Sequence, residues 1–433
     1  MNTTEKEDLV QRLDPGVRAL LLPEISAKLA MGGRAQQNGQ EMILTFEGDA
    51  VRLHTEDFQL AAKVAERVRS KVPKVTTRTH VLNCLTFAHQ FLTEELFKPS
   101  AIRVLYFATM SKASAFYRCL MPRFALNQGA RCVAHATAGQ YGRTALEYDV
   151  VVIQIDSSPA TQQFARTLQE MGKKVIYELD DAFDCLEDWH PQYTSYGQPE
   201  RLKNMYEMMA LADAVQVSTP WLAQRYGKHA KRVEVVPNMV ELAAWPPADR
   251  LRSDGLFKVL WAGSPSHSGD LREVVPALAA FATAHKDARI VLFGQEIKDS
   301  GIPAGQLENI PWCEFEEYAF RLAQVDADVA IAPLTDVPFN HGKSNLRILQ
   351  MWATGYPTVA SPVGPYADAI TAGQDGLFAS GTAQWVEALE ALYASEALRK
   401  SLAAGGREAV KRFDVRPNLE RIEQFYTSVA ETR

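Results

Sequence analysis

Short apolar runs alternate with helical stretches along most of the chain. From Ala101 onward the runs are IRVLYFA (102–108), CVAHA (132–136), DVVVIQI (149–155), KVIYEL (174–179), AVQVS (214–218) and VEVVP (233–237). A continuous apolar run, as opposed to an alternating one, is expected of a parallel strand buried on both faces. Stretches such as SAFYRCLMPRFALN, which stops at Gly129, lie between them and read as helices. Strands alternating with helices predict an α/β fold with a doubly wound parallel sheet. The pattern pauses over 238–256, which carries Pro246 and Pro247 and no strong period, and this segment reads as a linker. It then restarts with FKVLWAG (257–263), ARIVLFG (288–294), NIPWCEF (309–315), DVAIAPL (328–334) and PTVAS (357–361). Two Rossmann-like units in series imply a cleft between two sheets, with ligands beyond the carboxyl ends of the strands.

Ahead of this, residues 1–98 have another texture. EMILTF, a Gly48-Asp49 turn and AVRLH predict a short hairpin inside an otherwise mostly helical region. The expected organisation is an extension over 1–98, a first Rossmann-like domain over 99–245 and a second over 246–415. A helical tail over 416–433, containing PNLERIEQFYTSVAE, is long enough to pack back across the cleft.

The chain has 433 residues, 47% hydrophobic and 23% charged, an ordinary globular balance. A net charge of −6 argues against a protein that coats nucleic acid or anionic membrane with its whole surface. One local basic run, Lys63, Arg67, Arg69, Lys71, Lys74 and Arg78, keeps a nucleic-acid or anionic-lipid contact open beside the reading of a solvated helix face. The five cysteines, Cys84, Cys119, Cys132, Cys185 and Cys313, show no zinc-type spacing. The first residues, MNTTEKEDLVQRL, lack an apolar signal core, and no run approaches the ~20 apolar residues of a membrane span. A cytoplasmic protein with reduced thiols is the expectation; the oligomeric state is left open.

Candidate chemistry gathers after the strands of the second unit. His341-Gly342-Lys343-Ser344-Asn345 opens the helix SNLRILQMWATG. Unpaired N–H groups and the positive end of the helix dipole, with the Lys343 charge and the Ser344 hydroxyl, would seat a pyrophosphate; alternatively Ser344 caps the helix and Lys343 is solvated. In WAGSPSHSGDLREVV (261–275), Gly263 permits close backbone approach, and Ser264, Ser266 and His267 offer hydrogen bonds without bulk. The loop is not GxGxxG and so does not point to a dinucleotide cofactor. In the first unit, Ser114, Tyr117 and Arg118 follow the first strand: Tyr117 and Arg118 either contact sugar or phosphate, or are a core tyrosine and a solvated arginine. Asp180 and Asp181 end the strand KVIYEL, where they either face the cleft or cap and solvate. Asp326-Ala-Asp328 spells DxD but precedes a strand, at the end away from the cleft, so no metal site is expected there. His190, in DWHPQY, belongs either to an acceptor-side loop or to the surface.

As a set, GSPSHSGDL, ADVAIAPL, GKSNLRILQ, GYPTVASPVGPY and DGLF (375–378), with YELDDAFD (177–184) and ADAVQVSTPWLAQRYG (212–227), resemble glycosyltransferase family 4 of the GT-B superfamily. The resemblance is to its branch with a Gly-Ser-Pro-x-His loop and a Lys-Ser-Asn helix start; it spans roughly 101–430 and is clearest over 257–380. It implies two Rossmann-like domains facing a cleft and transfer of a sugar from a nucleoside diphosphate sugar, with retention, without metal or cofactor. By the same resemblance, Ser264 and His267 lie near the donor phosphates or sugar. Lys343, helped by Ser344 and Asn345, neutralises the leaving diphosphate. The loops after Phe293-Gly294 and around Trp312-Glu314 face the base. Asp180, Asp181, Arg118, Ser114 and Tyr117 fall on the catalytic and acceptor side. The family usually has a glutamate on the ribose and often another eight residues earlier; here Gln350 and Gly342 occupy those places, and a Gln gives up the charge-assisted strength of a carboxylate. The acceptor expected of this branch is a glycan or glycolipid. Two further readings stand beside it: a bacteriophage-type DNA glycosyltransferase, motivated by the basic run at 63–78, and a non-catalytic GT-B binding module, motivated by Gln350 and Gly342.

Overall fold

The computed structural model describes the backbone of residues 34–38, 41–46 and 49–54, and residues 101–432 apart from short stretches at 109–111, 130, 138–142, 243–244, 246, 249–253, 265–266 and 314. The basic run at 63–78 and the helices expected within 1–98 lie outside the described residues. The hairpin is present: β2 (Glu41–Phe46) pairs antiparallel with β3 (Asp49–His54), and β1 (Arg34–Asn38), which the hydrophobic pattern did not reveal, adds a third strand beside β2.

Two six-stranded parallel sheets follow. The first contains β4 (Ile102–Phe107), β5 (Cys132–Thr137), β6 (Val150–Gln154), β7 (Lys174–Leu179), β8 (Ala214–Val217) and β9 (Val233–Val235), in the order β5-β4-β6-β7-β8-β9. The second contains β10 (Phe257–Ala262), β11 (Ala288–Phe293), β12 (Leu307–Ile310), β13 (Val329–Ala332), β14 (Thr358–Ala360) and β15 (Leu377–Phe378), in the order β12-β11-β10-β13-β14-β15. In each sheet the order reverses beside the first strand, which creates a switch-point crevice at the carboxyl edge. The strand expected at 309–315 sits two residues earlier. Pro311 supplies no N–H to continue the ladder, so β12 ends at Ile310 and Trp312 falls in the following loop.

Both sheets are covered on both faces, which is why their strands read as unbroken apolar runs. Alternate residues of each strand feed opposite clusters: Leu105, Val151 and Tyr177 one, Val104, Val152 and Ile176 the other. Local chemistry fixes the helix starts. Ser158 and Thr219 accept from Thr161 N and Leu222 N, each at 3.3 Å, and Pro159 and Pro220 follow at the first helical position.

The chain crosses between domains twice, and the crossings pair: Val240 N–H donates to Phe413 O at 3.0 Å and Val415 N–H to Val240 O at 3.1 Å. The last helix, Val415–Glu431, packs on the first domain, with Ile422, Phe425, Tyr426 and Val429 buried against Val104, Tyr106 and Met121. No helix among the described residues is long and apolar enough to cross a membrane.

Candidate active site between the two domains

The helix Leu346–Thr354 and the turn before it carry several ties between the domains. Phe339 belongs to the second domain yet is buried in the first domain's apolar cluster, with His190 packed on its ring at 4.8 Å between centroids. Lys343 Nζ donates to Asp181 Oδ2 at 2.9 Å and lies 4.4 Å from the centre of the Phe339 ring. Asn238 Nδ2 donates to Ser344 Oγ at 2.8 Å, and Gln350 Nε2 donates to the Tyr117 hydroxyl at 3.0 Å. A Cβ on Gly342 would stand 2.8 Å from Ala182 Cβ and 3.1 Å from Leu222 Cδ2. The absence of a side chain at 342, where the resemblance leads one to expect glutamate, is thus what lets the first domain close onto this turn.

On the first-domain side, the carboxyl end of β7 supplies three carboxylates. Ser114 donates to Asp180 Oδ2 at 2.6 Å and is itself held by Gln154 Nε2 at 2.9 Å. Burial and the neighbouring Asp181 charge push Asp180 above the usual carboxylate range. Glu178 is fully buried against Arg118, which donates through Nε at 2.6 Å; burial pushes Glu178 up to about 8 against the pull of that guanidinium. Arg118 Nη1 donates further to Val236 O at 2.6 Å and Asn238 Oδ1 at 2.9 Å, and the side chain has no exposed surface. Arg118 therefore differs from both sequence readings. It is neither solvated nor at the cleft surface but lies beneath it, and through Asn238 it positions Ser344. Tyr117 is buried as well, its hydroxyl turned to Gln350 and pushed up by burial.

On the second-domain side, Gly263 and Gly294 bring two loops together: Gly263 N–H donates to Phe293 O at 3.0 Å. At Gly294, φ is +96°, and a Cβ would stand 2.6 Å from Gly263 O, so only glycine fits. The Trp312 ring lies over Gly294 and is half exposed. Ser264 O accepts from His267 N–H at 3.0 Å. The His267 ring bonds Asp270 Oδ2 through Nδ1 at 2.9 Å, and Thr335 N and Asn340 Nδ2 donate to Asp270 Oδ1 at 3.0 and 2.8 Å. Burial and the Arg347 guanidinium push His267 down to about 4. Burial raises Asp270, but its hydrogen bonds from His267 and Thr335 outweigh that and hold it at about 2. At neutral pH the pair is therefore a neutral imidazole donating Nδ1–H to a carboxylate, with Nε2 left as an acceptor.

Ser344 Oγ stands 3.4 Å from Leu346 N, and Asn345, at the helix cap, offers no side-chain cap. The helix start combines backbone N–H groups and a lysine, a suitable seat for an anion. Asp328 of the DxD sequence accepts from Lys258 N at 2.8 Å at the amino ends of β10 and β13, away from this site. Among the described residues no cluster of three or more His, Cys, Asp or Glu could hold a metal ion. Two residues that sequence reasoning passed over enter the site. Asp270 orients His267, and its i+3 spacing on a helix start was a legible signal. Arg347, one turn before Gln350 on the same helix, lies with its guanidinium 5.2 Å from the Trp261 ring.

Residues 257–395 match the family described as glycosyl transferases group 1. A curated relative, D-inositol 3-phosphate glycosyltransferase of Pseudarthrobacter chlorophenolicus, is 28% identical over 212 residues; the match covers 44% of this chain and 48% of that one. The chain thus spans about half the length of that relative. Among solved structures, sucrose-phosphate synthase of Thermosynechococcus elongatus superposes with a TM-score of 0.56 at 14% identity, over 76% of this chain and 99% of that one. HepE of Anabaena, solved in complex with UDP-glucose, gives 0.56 at 14% identity over 76% and 100%. The fold is GT-B, and the second domain matches the group 1 glycosyltransferases.

Proposed function

We infer, from a second domain of the group 1 glycosyltransferase type in a GT-B fold, that this chain moves a sugar from a nucleoside diphosphate sugar to an acceptor hydroxyl. The observation that carries the reading is Lys343: a cation at a helix start, opposite a pair of carboxylates, in the cleft between two sheets. Negative charge develops on the diphosphate as the glycosidic bond breaks. A fixed ammonium and helix N–H groups stabilise that charge more in the transition state than in the ground state. Trp312 offers the base a flat face beside Gly294, Gln350 a hydrogen bond to the ribose, and neutral His267 an acceptor for a sugar hydroxyl. Asp180 and Asp181 face the acceptor and the cationic character that grows on the sugar.

Retention follows from the family resemblance, by a same-face route in which the donor phosphate takes the acceptor's proton. Lys343 and the helix start supply the charge that a metal would otherwise bring. The acceptor on this reading is a glycan or glycolipid. HepE, whose solved complex holds UDP-glucose, makes that donor the first to test. Hydrolysis of a panel of nucleotide sugars, UDP-glucose first, is to be followed with excess EDTA present. The wild-type chain should turn over at least one donor, and Lys343→Ala should lose on the order of 100-fold or more in rate with its fold intact. Wild-type rates in that variant, or activity abolished by EDTA and restored by manganese, would sink this assignment.

A further inference from the structure

Arg347 is a buried cation without an anion. Its exposure is 8%, its Nη1 is enclosed with no hydrogen-bond partner, and among the described residues no carboxylate pairs with it. Asp270, whose ionisation it favours, is already hydrogen-bonded to His267, Thr335 and Asn340. Around it stand Trp261, Tyr318 and Tyr366, aromatic groups that the guanidinium contacts or acts upon without neutralising it. Burying a charge without its counterion is unfavourable, and an arginine kept in that state is arranged for an anion that arrives later.

Its position says where that anion sits. Arg347 Nη2 lies 2.6 Å from where a Cβ on Gly263 would be, so the guanidinium occupies the space that this glycine leaves open at the end of β10. Its charge also acts through space on His267, which burial and this guanidinium together push down. The loop from Gly263 to Asp270 contains no lysine or arginine of its own, so positive charge over this glycine comes from the helix Leu346–Thr354. Lys343 stands at the start of that helix and is bound to Asp181 of the first domain.

We propose that Arg347 is a second diphosphate-binding cation of the donor site, and that its planar fork grips phosphate oxygens above Gly263 while Lys343 holds the opposite side. This rests on the nucleotide-sugar reading above and adds a residue to it. A guanidinium presents paired donors to phosphate, a geometry that an ammonium cannot copy.

The test compares a nucleoside diphosphate with its nucleoside. Binding of UDP, GDP and ADP, and of uridine, guanosine and adenosine, is measured by calorimetry on the wild-type full chain, then on Arg347→Met and Arg347→Lys. Melting temperatures are recorded with and without nucleotide. Arg347→Met should weaken the preferred diphosphate roughly 10- to 100-fold and leave its nucleoside within about two-fold. Arg347→Lys should fall between. Because the variant removes an unpaired buried charge, its melting temperature without nucleotide should hold or rise, while the shift given by the diphosphate shrinks. Equal weakening of nucleoside and diphosphate, an unchanged diphosphate affinity, or an Arg347→Met chain that melts early or does not fold would each make Arg347 a structural residue and overturn the proposal. A wild-type chain that binds none of the three diphosphates brings down the donor reading itself, and this inference with it.

Discussion

Substituting Gly342 with alanine tests whether the cleft works closed. The added Cβ would stand 2.8 Å from Ala182 Cβ, 3.1 Å from Leu222 Cδ2 and 3.2 Å from the Trp221 ring, all in the first domain. Ordinary contact begins at 3.4 Å, so the domains must part by 3.4 − 2.8 = 0.6 Å at this point, or the turn must shift by as much. The ties on either side are short: Lys343 to Asp181 at 2.9 Å, Thr219 to Gly342 O at 3.4 Å, with Phe339 buried beside them. The nearest obstruction, Ala182 Cβ, is fixed to the backbone and no side-chain rotation moves it, whereas Leu222 and the Trp221 ring meet the new atom with side-chain ends that can yield. Overpacking of this kind costs about 1–3 kcal/mol. If that cost falls on the closed state alone, turnover drops roughly 5- to 150-fold, at about 1.4 kcal/mol for each factor of ten. Donor turnover and nucleotide affinity are to be measured on the same preparation, with small-angle scattering to follow the separation of the domains. Turnover should fall while nucleotide affinity, carried mainly by the second domain, changes little and the radius of gyration grows. Gly342→Glu should do the same more severely. A Gly342→Ala enzyme that turns over like wild type would refute the claim that catalysis uses the closed arrangement seen here.

Two further outcomes can be checked on stability. His267 titrates near 4 in the folded chain against an ordinary 6.5, so the folded state binds fewer protons between those values: stability is complete above about pH 6.5 and is lost as pH falls toward 4, by about 3 kcal/mol at most, and His267→Gln should flatten a urea-unfolding curve measured across that window. Arg118→Met leaves the Glu178 carboxyl, which burial pushes up to about 8, without its hydrogen-bond donor, and should cost about 1–3 kcal/mol in the same assay at neutral pH and more at higher pH, where the lone carboxyl must ionise, with part regained in Arg118→Met/Glu178→Gln; a loss no larger than that of a surface substitution would mean the pair is not buried as placed.

The sheets were legible because burial on both faces writes each strand as a short run with no alternation. Where the reading slipped, a local rule overrode composition. NIPWCEF is apolar enough for a strand, but Pro311 removes the N–H that would continue the ladder, so β12 lies at Leu307–Ile310. The strand β15 (Leu377–Phe378) is too short to stand out from its loop. In the site, residues named for a motif came together as a group: Gly263, His267, Lys343, Ser344 and Gln350 all lie on two adjoining loops and one helix. The partners across the cleft were not legible. That Lys343 meets Asp181, Gln350 meets Tyr117 and Ser344 meets Asn238 depends on how the two domains close, and sequence separations of 162, 233 and 106 residues leave no local trace. Arg118 was misplaced for a related reason. An arginine on a helix is normally solvated, and only the convergence of Glu178, Val236 O and Asn238 from three other segments makes its burial tolerable.

The charges of the cleft are divided between the domains. The first domain contributes Glu178, Asp180 and Asp181 at one strand end, and burial already pushes the first two toward their neutral forms. The Lys343 ammonium, brought onto that edge by the second domain, lowers Asp180 against the crowding of like charge. Lys343 of the second domain reaches Asp181.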